Sequence, residues 1–218
     1  ITTYQNKNGI IGVSKNPQIN IIAYPSTEIG KIIVKNYDEK TSNNNEFKTT
    51  EIKAHQSEIT ALAMNEDGSL IASASEKGTI IRIFQTKDGQ LIQELRRGSE
   101  SAEIYSLAFD MKSLYLACSS NKGTIHIFNV KNEKNIVQNQ KSIFGTLTSF
   151  LGIQSEYLNS EWSFAQYRLS YKGKSIVSFC PDGSPSIMVI TLEGKYYQGS
   201  FDPVAGGEGV TVLESNFT

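Results

Sequence analysis

The chain of 218 residues contains 21 Lys and Arg and 22 Asp and Glu, which gives a formal net charge of −1. Proteins that coat nucleic acid need an excess of basic side chains, so this balance argues against a nucleic-acid partner and restricts any anion site to a local cluster. Since 39% of the residues are hydrophobic but no apolar run reaches the roughly 20 residues that span a bilayer, we expect a soluble cytosolic protein with a substantial core.

Short segments of alternating apolar and polar residues, separated by turns that contain Gly, recur four times along the chain. The two clearest copies are residues 70–84 and 114–128; a weaker copy at 21–34 precedes them, and another at 175–197 follows. Val, Ile, Tyr, Phe and Thr dominate these segments, and copies about 45 residues apart are typical of WD40-type blades. The sequence therefore predicts an all-β, WD40-like β-propeller.

Each repeat is predicted to be one blade of antiparallel strands joined by tight turns. In the second copy the strands are predicted at residues 58–64, 70–75, 79–84 and 90–97. The predicted blades cover residues 9–53, 54–98, 102–170 and 174–218, within one domain that spans residues 1–218. At about 45 residues per blade, a chain of this length supplies about four blades.

One long segment, residues 131–160, interrupts this rhythm between Phe128 and Trp162. A connection of this length is unusual in a compact domain and indicates a functional or disordered segment. Its lysines lie upstream of apolar residues that fall on one face at helical spacing, a composition typical of an anchor in the membrane interface. Packing on the propeller itself is the alternative. The apolar residues are Ile143, Phe144, Leu147, Phe150 and Leu151.

An arginine pair, Arg96 and Arg97, ends a predicted strand and is followed by Gly98. Successive residues of a strand point to opposite faces, so the two side chains should diverge and serve different neighbours. A guanidinium group presents a fork of N–H donors that matches phosphate oxygens. The pair therefore predicts two adjacent anion pockets, although a solvated strand end is the alternative.

Hydroxyl side chains take equivalent places on either side of the arginine pair. Ser75 and Thr79 lie on one repeat where Ser120 and Thr124 lie on the next, and they could complete the phosphate ligands. The alternative is that these hydroxyls only close turns. His55 and His126 flank the same turns and could donate further hydrogen bonds, but His55 could instead orient a turn and His126 could face solvent.

The chain lacks the common signatures of catalysis and metal binding. It contains no G-x-S-x-G, P-loop or H-E-x-x-H pattern, and Cys118 and Cys180 form neither a disulfide framework nor a metal-binding spacing. We therefore expect a binding protein without catalytic residues, metal or cofactor.

The segments around the arginine pair carry a specific combination of motifs. These segments are Leu91-Ile-Gln-Glu-Leu-Arg-Arg-Gly98, Ala54-His55, and residues 74–79, 102–109, 122–128 and 161–167. In these segments the chain resembles the PROPPINs, the phosphoinositide-binding β-propellers of autophagy, and within them the WIPI3/WIPI4-type branch most of all. The resemblance implies a seven-bladed propeller, of which this chain would be a C-terminal portion with the long loop 131–160 in the penultimate blade.

The resemblance also implies a function and a set of site residues. The protein would bind phosphatidylinositol 3-phosphate and 3,5-bisphosphate at two sites on the rim, without catalysis, while loop 131–160 inserts into the bilayer. The first site would contain Arg96, His55, Ser75 and Thr79, and the second Arg97, Ser119, Ser120, Thr124 and His126. The alternative is a protein-interaction scaffold that does not bind lipid.

A location and a protein partner follow from the same resemblance. The protein would be cytoplasmic and peripherally associated with autophagosomal precursor, endosomal or vacuolar/lysosomal membranes. An autophagy lipid-transfer protein would be its protein partner.

Overall fold

The computed structural model describes residues 2–40, 47–131, 140–141 and 160–216, and all regular structure within these ranges is β-strand. The strands in chain order are β1 (Gly12–Val13), β2 (Ile21–Pro25), β3 (Lys31–Lys40), β4 (Phe47–Lys53), β5 (Ile59–Met64), β6 (Leu70–Ser75), β7 (Ile80–Gln85), β8 (Leu91–Arg96), β9 (Ile104–Phe109), β10 (Tyr115–Ser120), β11 (Thr124–Asn129), β12 (Gln140–Lys141), β13 (Glu161–Trp162), β14 (Ala165–Arg168), β15 (Ser175–Phe179), β16 (Ser186–Thr191), β17 (Lys195–Asp202) and β18 (Gly206–Asn216). The predicted all-β class is confirmed.

The strands form four consecutive antiparallel units, to which we refer as blades. The first blade consists of β1–β4, the second of β5–β8, the third of β9–β11 with β14, and the fourth of β15–β18. Neighbouring strands within a blade are mostly adjacent in sequence because short turns join them. The division of the whole chain into the four predicted residue ranges stays a proposal.

Three apolar clusters hold consecutive blades together. Strand alternation sends every second side chain to one face of its blade, and each face packs against the next blade. Ile32, Ile52 and Phe84 are buried between the first and second blades, and Leu95 and Phe128 between the second and third. Val177, Val189 and Tyr197 belong to the cluster between the third and fourth blades. Burial of each such large side chain stabilises the fold by roughly 1.5–3 kcal/mol.

Residues 160–162 connect the third blade to the second. The chain leaves β11 at Asn129 and reaches β14 at Ala165, and between them β13 pairs in parallel with β8, with Glu161 opposite Leu95 and Trp162 opposite Arg96. A second parallel contact joins β14 to β18. The pairing of β13 with β8 places the end of the long segment 131–160 against β8, the strand that ends in the arginine pair.

The apolar residues of the predicted membrane loop, Ile143, Phe144, Leu147, Phe150 and Leu151, lie outside the described residues. Among the residues that are described, no helix is long and apolar enough to cross a membrane.

Candidate functional site

Arg96 and Arg97 lie on opposite faces of the second blade. Arg96 is opposite Ile80 on β7, on the face that is turned to the first blade. The backbone N–H of Arg97 donates to the carbonyl of Thr79 at 2.9 Å, and its side chain lies near Cys118 of the third blade. The arginines are only 8% and 5% exposed, so neither is a solvated strand end.

A pocket of about 600 Å³ opens beside Arg96. It brings together the four residues predicted for the first site: Arg96, His55, Ser75 and Thr79. The turn after Ser75 is closed by its carbonyl, which accepts the Gly78 N–H at 2.8 Å, so turn closure does not use the Ser75 hydroxyl. The pocket is also lined by Gln56, Ser57, Glu76, Lys77, Ile80, Arg82, Glu94 and Ser101.

Arg96 is oriented by a residue distant in sequence. Its Nε donates to the Oγ of Ser160 at 2.9 Å, and both side chains are buried. Ser160 directly precedes β13, so the parallel contact between β13 and β8 sets this hydrogen bond. The guanidinium is thereby held in one orientation at the pocket wall.

His55 is fixed by both its backbone and its ring. The backbone N–H of His55 donates to the carbonyl of Gly30 at 2.9 Å, and the ring Nε2 lies 2.9 Å from the Oγ of Ser73. Gly30 has φ +76°, and a Cβ there would lie 1.9 Å from the His55 carbonyl oxygen. Only glycine therefore allows this close approach without strain.

Burial and, to a smaller extent, the positive charge of Arg82 together lower the pKa of His55 from 6.5 to about 4. The ring is therefore neutral at pH 7 and contributes a hydrogen bond rather than a charge. A bound anion would favour the protonated ring and raise this pKa.

The Arg97 side chain is held between two backbone carbonyls. Its Nε donates to the carbonyl of Gly78 at 2.9 Å, and its Nη2 donates to the carbonyl of Glu100. Burial lowers the pKa of the Arg97 guanidinium, but a guanidinium remains protonated in proteins. The neighbouring Cys118 thiol stays protonated because burial raises its pKa to about 12.

The other residues predicted for the second site differ in exposure and bonding. His126 Nδ1 lies 3.2 Å from the Oγ of Ser163, and the pKa of His126 is lowered to about 4 by burial, then by Arg97 and Arg168. Thr124 is half-buried at the start of β11.

Ser119 and Ser120 have different environments at the end of β10. The fully buried Ser119 hydroxyl donates to the Ser175 carbonyl of the fourth blade at 2.9 Å. The Ser120 hydroxyl accepts a hydrogen bond from the Lys122 N–H at 3.4 Å and so takes part in a turn. The structure thus brings His126 near Arg97, while the Ser119 hydroxyl is directed at a contact between blades.

Sequence reasoning missed two residues that line the first pocket, Arg82 and Glu94, and it missed Ser160, which holds Arg96 from outside the pocket lining. The alternation of β7 and β8 could have placed Arg82 and Glu94 on the same face as Arg96, because two-residue steps along a strand return to one face. No signal in the sequence could have found Ser160, which lies 64 positions from its partner Arg96. Across the described ranges, no group of three or more His, Cys, Asp and Glu side chains could hold a metal ion.

Comparison with known proteins decides the family, because the PROPPIN family model matches residues 2–217. The chain belongs to the PROPPIN family. This PROPPIN is 39% identical over 168 residues to autophagy-related protein 18e of Arabidopsis thaliana, covering 76% of this chain and 43% of the relative. It is 34% identical over 223 residues to human WD repeat domain phosphoinositide-interacting protein 1, covering 95% and 48%.

The solved structure of Kluyveromyces lactis Hsv2 superposes on this PROPPIN with a TM-score of 0.73 at 19% identity, covering 96% of this chain and 62% of that one. The predicted propeller fold, with about four blades present, is confirmed. This PROPPIN spans about half the length of the curated relatives it matches. Its assignment to the WIPI3/WIPI4-type branch stays a prediction.

Proposed function

We propose that this PROPPIN is a phosphoinositide-binding membrane adaptor in autophagy that recognises phosphatidylinositol 3-phosphate and 3,5-bisphosphate. The observation that carries the proposal is the pocket in which Arg96 meets His55, Ser75 and Thr79. The name of the human relative, a phosphoinositide-interacting protein, supports the ligand class.

The chemistry of the pocket suits a phosphate group. The Arg96 guanidinium supplies charged, directional N–H donors, which are stronger than neutral ones. The Ser75 and Thr79 hydroxyls supply neutral donors. The neutral His55 ring supplies one more when its Nε2 accepts from the Ser73 hydroxyl and its Nδ1 carries the proton. Because the pocket is recessed, these interactions are screened less by solvent than those of surface lysines.

Arg97 with Ser119, Ser120, Thr124 and His126 forms the proposed second headgroup site. Within that set, the contacts favour Arg97, Ser120, Thr124 and His126 as ligands and Ser119 as support, since the Ser119 hydroxyl already bonds to the fourth blade. Two sites on one rigid rim act together, because once the first headgroup is bound the second is captured from nearby.

Loop 131–160 is proposed to insert its apolar residues into the bilayer next to these sites. Contacts at its base support that position: Lys131 Nζ lies 2.5 Å from Glu161 Oε1, and the Lys131 N–H donates to Oε1 of Gln93 at 3.0 Å. Gln93 Nε2 in turn donates to Glu161 Oε2 at 2.8 Å. Both ends of the loop are thereby tied to β8, the strand that ends in Arg96.

The proposed location follows from this mode of binding. The protein would associate peripherally, from the cytoplasm, with autophagosomal precursor, endosomal or vacuolar/lysosomal membranes, and would engage an autophagy lipid-transfer protein there. A protein-interaction scaffold without lipid binding is the competing function.

Liposome flotation tests the proposal. The wild type should float with vesicles that contain phosphatidylinositol 3-phosphate, and the double variant Arg96→Thr/Arg97→Thr should stay with the soluble fraction, a loss of at least tenfold in the bound fraction. The matched control is Lys87→Thr/Lys112→Thr. It removes two exposed charges in the β7–β8 and β9–β10 turns, at the ends of the blades away from the arginine pair, and should float like the wild type.

A thermal unfolding curve for each variant separates lost binding from lost structure. A second double variant, Arg96→Lys/Arg97→Lys, keeps the charge but loses the fork of donors and should bind at an intermediate level. Wild-type protein that fails to float, or arginine variants that float equally well, would overturn lipid binding and favour the protein scaffold.

A further inference from the structure

The outermost strand of the fourth blade, β18, has a long edge that is paired over only a small part of its length. On one edge, β17 pairs with β18 as far as Asn216. On the other, outer edge, β14 pairs with it only at Gly207 and Glu208. No other described strand pairs with β18, so the outer edge of residues 209–216 is open within the described part of the chain.

We propose that this outer edge of residues 209–216 binds an extended segment of a partner protein, which adds to the fourth blade as a parallel strand. In strand addition of this kind, backbone hydrogen bonds give affinity and alternate side chains give specificity. The edge is separate from both proposed headgroup sites, neither of which uses a residue of β18.

Two other blades show how an outermost strand takes an additional strand. In the second blade β8 pairs in parallel with β13, and in the third blade β14 pairs in parallel with β18. Each added strand comes from another part of the chain. The edge that β14 occupies at Gly207 and Glu208 continues to the end of β18 at Asn216, and residues 209–216 extend over roughly 26 Å. This length accommodates a further strand in the direction of β14.

The composition of the edge favours binding over protection. Residues 209–213 carry no charge, and Val210, Val212 and Leu213 are 63%, 58% and 48% exposed. The outermost strand of the first blade, β4, also ends its sheet among the described strands, but it carries the charged residues Lys48, Glu51 and Lys53. Charged side chains commonly protect an edge strand from pairing with another chain. The central part of β18 lacks this protection.

The two faces of β18 specify alternating side chains on the partner strand. The register with β17 places Val210 and Leu213 on one face of the blade, and Thr211 and Glu214 on the other. Side chains at neighbouring positions of paired strands contact each other on the same face. Apolar side chains of the partner would therefore lie beside Val210 and Leu213, and polar ones beside Thr211 and Glu214.

Glu214 adds a charge preference, for which β14 provides the example. Arg168 Nε lies 3.0 Å from Glu208 Oε1, and Arg168 is two positions beyond Gln166, which is opposite Glu208 in the parallel register. Glu214 is exposed near the end of the same edge. A basic residue two positions beyond the residue opposite Glu214 would make the equivalent pair. The partner segment therefore alternates apolar and polar residues and has a basic residue near its C-terminal end.

Fluorescence anisotropy with a synthetic peptide tests this edge. The probe is the fluorescein-labelled peptide Thr-Val-Thr-Val-Thr-Val-Arg-Thr, which the wild type should bind saturably. Val210→Lys/Val212→Lys puts charges on the edge and should weaken binding about tenfold. The matched control, Ile190→Lys/Leu192→Lys, adds the same charges at side chains of the same blade that are 49% and 77% exposed, and it should bind like the wild type.

Charge reversal tests the pairing with Glu214 and does not require a change to an apolar residue. Glu214→Arg should bind the arginine probe about fivefold more weakly than the wild type, because like charges on neighbouring strands repel. A probe with Glu in place of Arg should show the reverse preference. A probe of reversed sequence moves the arginine to the other end of a parallel strand, so its affinity should not respond to Glu214→Arg.

Hydrogen exchange with the probe bound should slow at the amides of residues 209–216. Absence of saturable binding, equal binding by Val210→Lys/Val212→Lys, or slowed exchange at β4 instead of β18 would overturn the proposal. If thermal unfolding shows that the lysine variant is destabilised, the charge-reversal result decides. Sedimentation velocity without probe tests for another occupant: a wild-type dimer that the lysine variant dissociates would assign the edge to a second copy of this chain and overturn the partner segment.

Discussion

At the level of single residues, the half-buried His55 and the buried His126 couple both proposed sites to pH. The pKa of His55 and that of His126 are each lowered from 6.5 to about 4, mainly because burial disfavours the charged ring. The native state therefore binds these protons only near pH 4, whereas the unfolded chain binds them below about pH 6.5. The contribution of the two neutral rings to the free energy of unfolding is therefore fully present above about pH 6.5 and is lost as the pH falls from about 6.5 to 4.

We predict a loss of up to about 3 kcal/mol of stability per histidine between pH 6.5 and pH 4, from a pKa shift of about 2.5 units. Urea unfolding of the wild type, His55→Gln and His126→Asn at several pH values measures this. Each variant should become more stable relative to the wild type as the pH falls, because it lacks one of the titrating rings.

Acidic side chains also titrate between pH 6.5 and pH 4. Their contribution cancels when the free energy of unfolding of each variant is compared with that of the wild type at the same pH. A difference between variant and wild type that is the same at pH 7 and pH 4.5 would show that the rings are not held neutral by burial.

One structural element, the turn between β6 and β7, contributes residues or contacts to both proposed sites. It follows Ser75, ends at Thr79, and contains Gly78, whose carbonyl accepts the hydrogen bond from Arg97 Nε. Gly78 has φ +59°, and a Cβ at this position would lie 1.8 Å from the carbonyl oxygen of Ala102. The turn therefore needs glycine both for its backbone conformation and for its contact with the chain that leads into the third blade.

Gly78→Ala should destabilise the protein by at least about 1–2 kcal/mol, the usual cost of a left-handed residue with a Cβ, with the steric contact added. The same change should weaken headgroup binding, since it displaces the carbonyl that holds Arg97. Urea unfolding and calorimetric titration with inositol 1,3-bisphosphate measure the two effects.

Gly98 offers the matched control. A Cβ there meets nothing within 4 Å, so Gly98→Ala should leave stability unchanged or raise it slightly through the unfolded state. Equal effects of the two alanine substitutions would contradict this account of the turn.

Membrane attachment is a property of the whole molecule, because no single proposed element should be sufficient. The two proposed headgroup sites on one rim would raise the effective concentration of the second ligand. Loop 131–160 would add apolar burial worth about 0.8 kcal/mol per buried CH₂. Its base is tied to β8 through Gln93, so headgroup capture and insertion would occur on the same side of the protein.

Phe144→Ser/Phe150→Ser should therefore reduce flotation with phosphatidylinositol 3-phosphate vesicles at least tenfold while leaving calorimetric binding of inositol 1,3-bisphosphate unchanged. The control Leu192→Ser/Val204→Ser changes two side chains that are 77% and 76% exposed on the fourth blade and should affect neither measurement. Loss of both kinds of binding in the phenylalanine variant would indicate misfolding, and unchanged flotation would argue against insertion.

The sequence by itself determined the strands and the divergence of the arginine pair, because both depend on local alternation and turn glycines. The strand predicted at residues 70–75 is Leu70–Ser75 in the structure, and its neighbours differ by about a residue at their ends. The set of Arg96, His55, Ser75 and Thr79, which the family resemblance implied, lines one pocket; its binding of a headgroup stays a proposal.

Only the tertiary structure decided how those residues are held. Ser160 reaches Arg96 through a parallel strand contact between residues 64 positions apart, and the Ser119 hydroxyl is directed to Ser175 of another blade. The hydrogen bond from Arg82 to the carbonyl of Ala54 likewise depends on how the segment between the first and second blades packs against β7. Such contacts depend on the packing of blades against one another, which the local periodicity of a single strand does not encode.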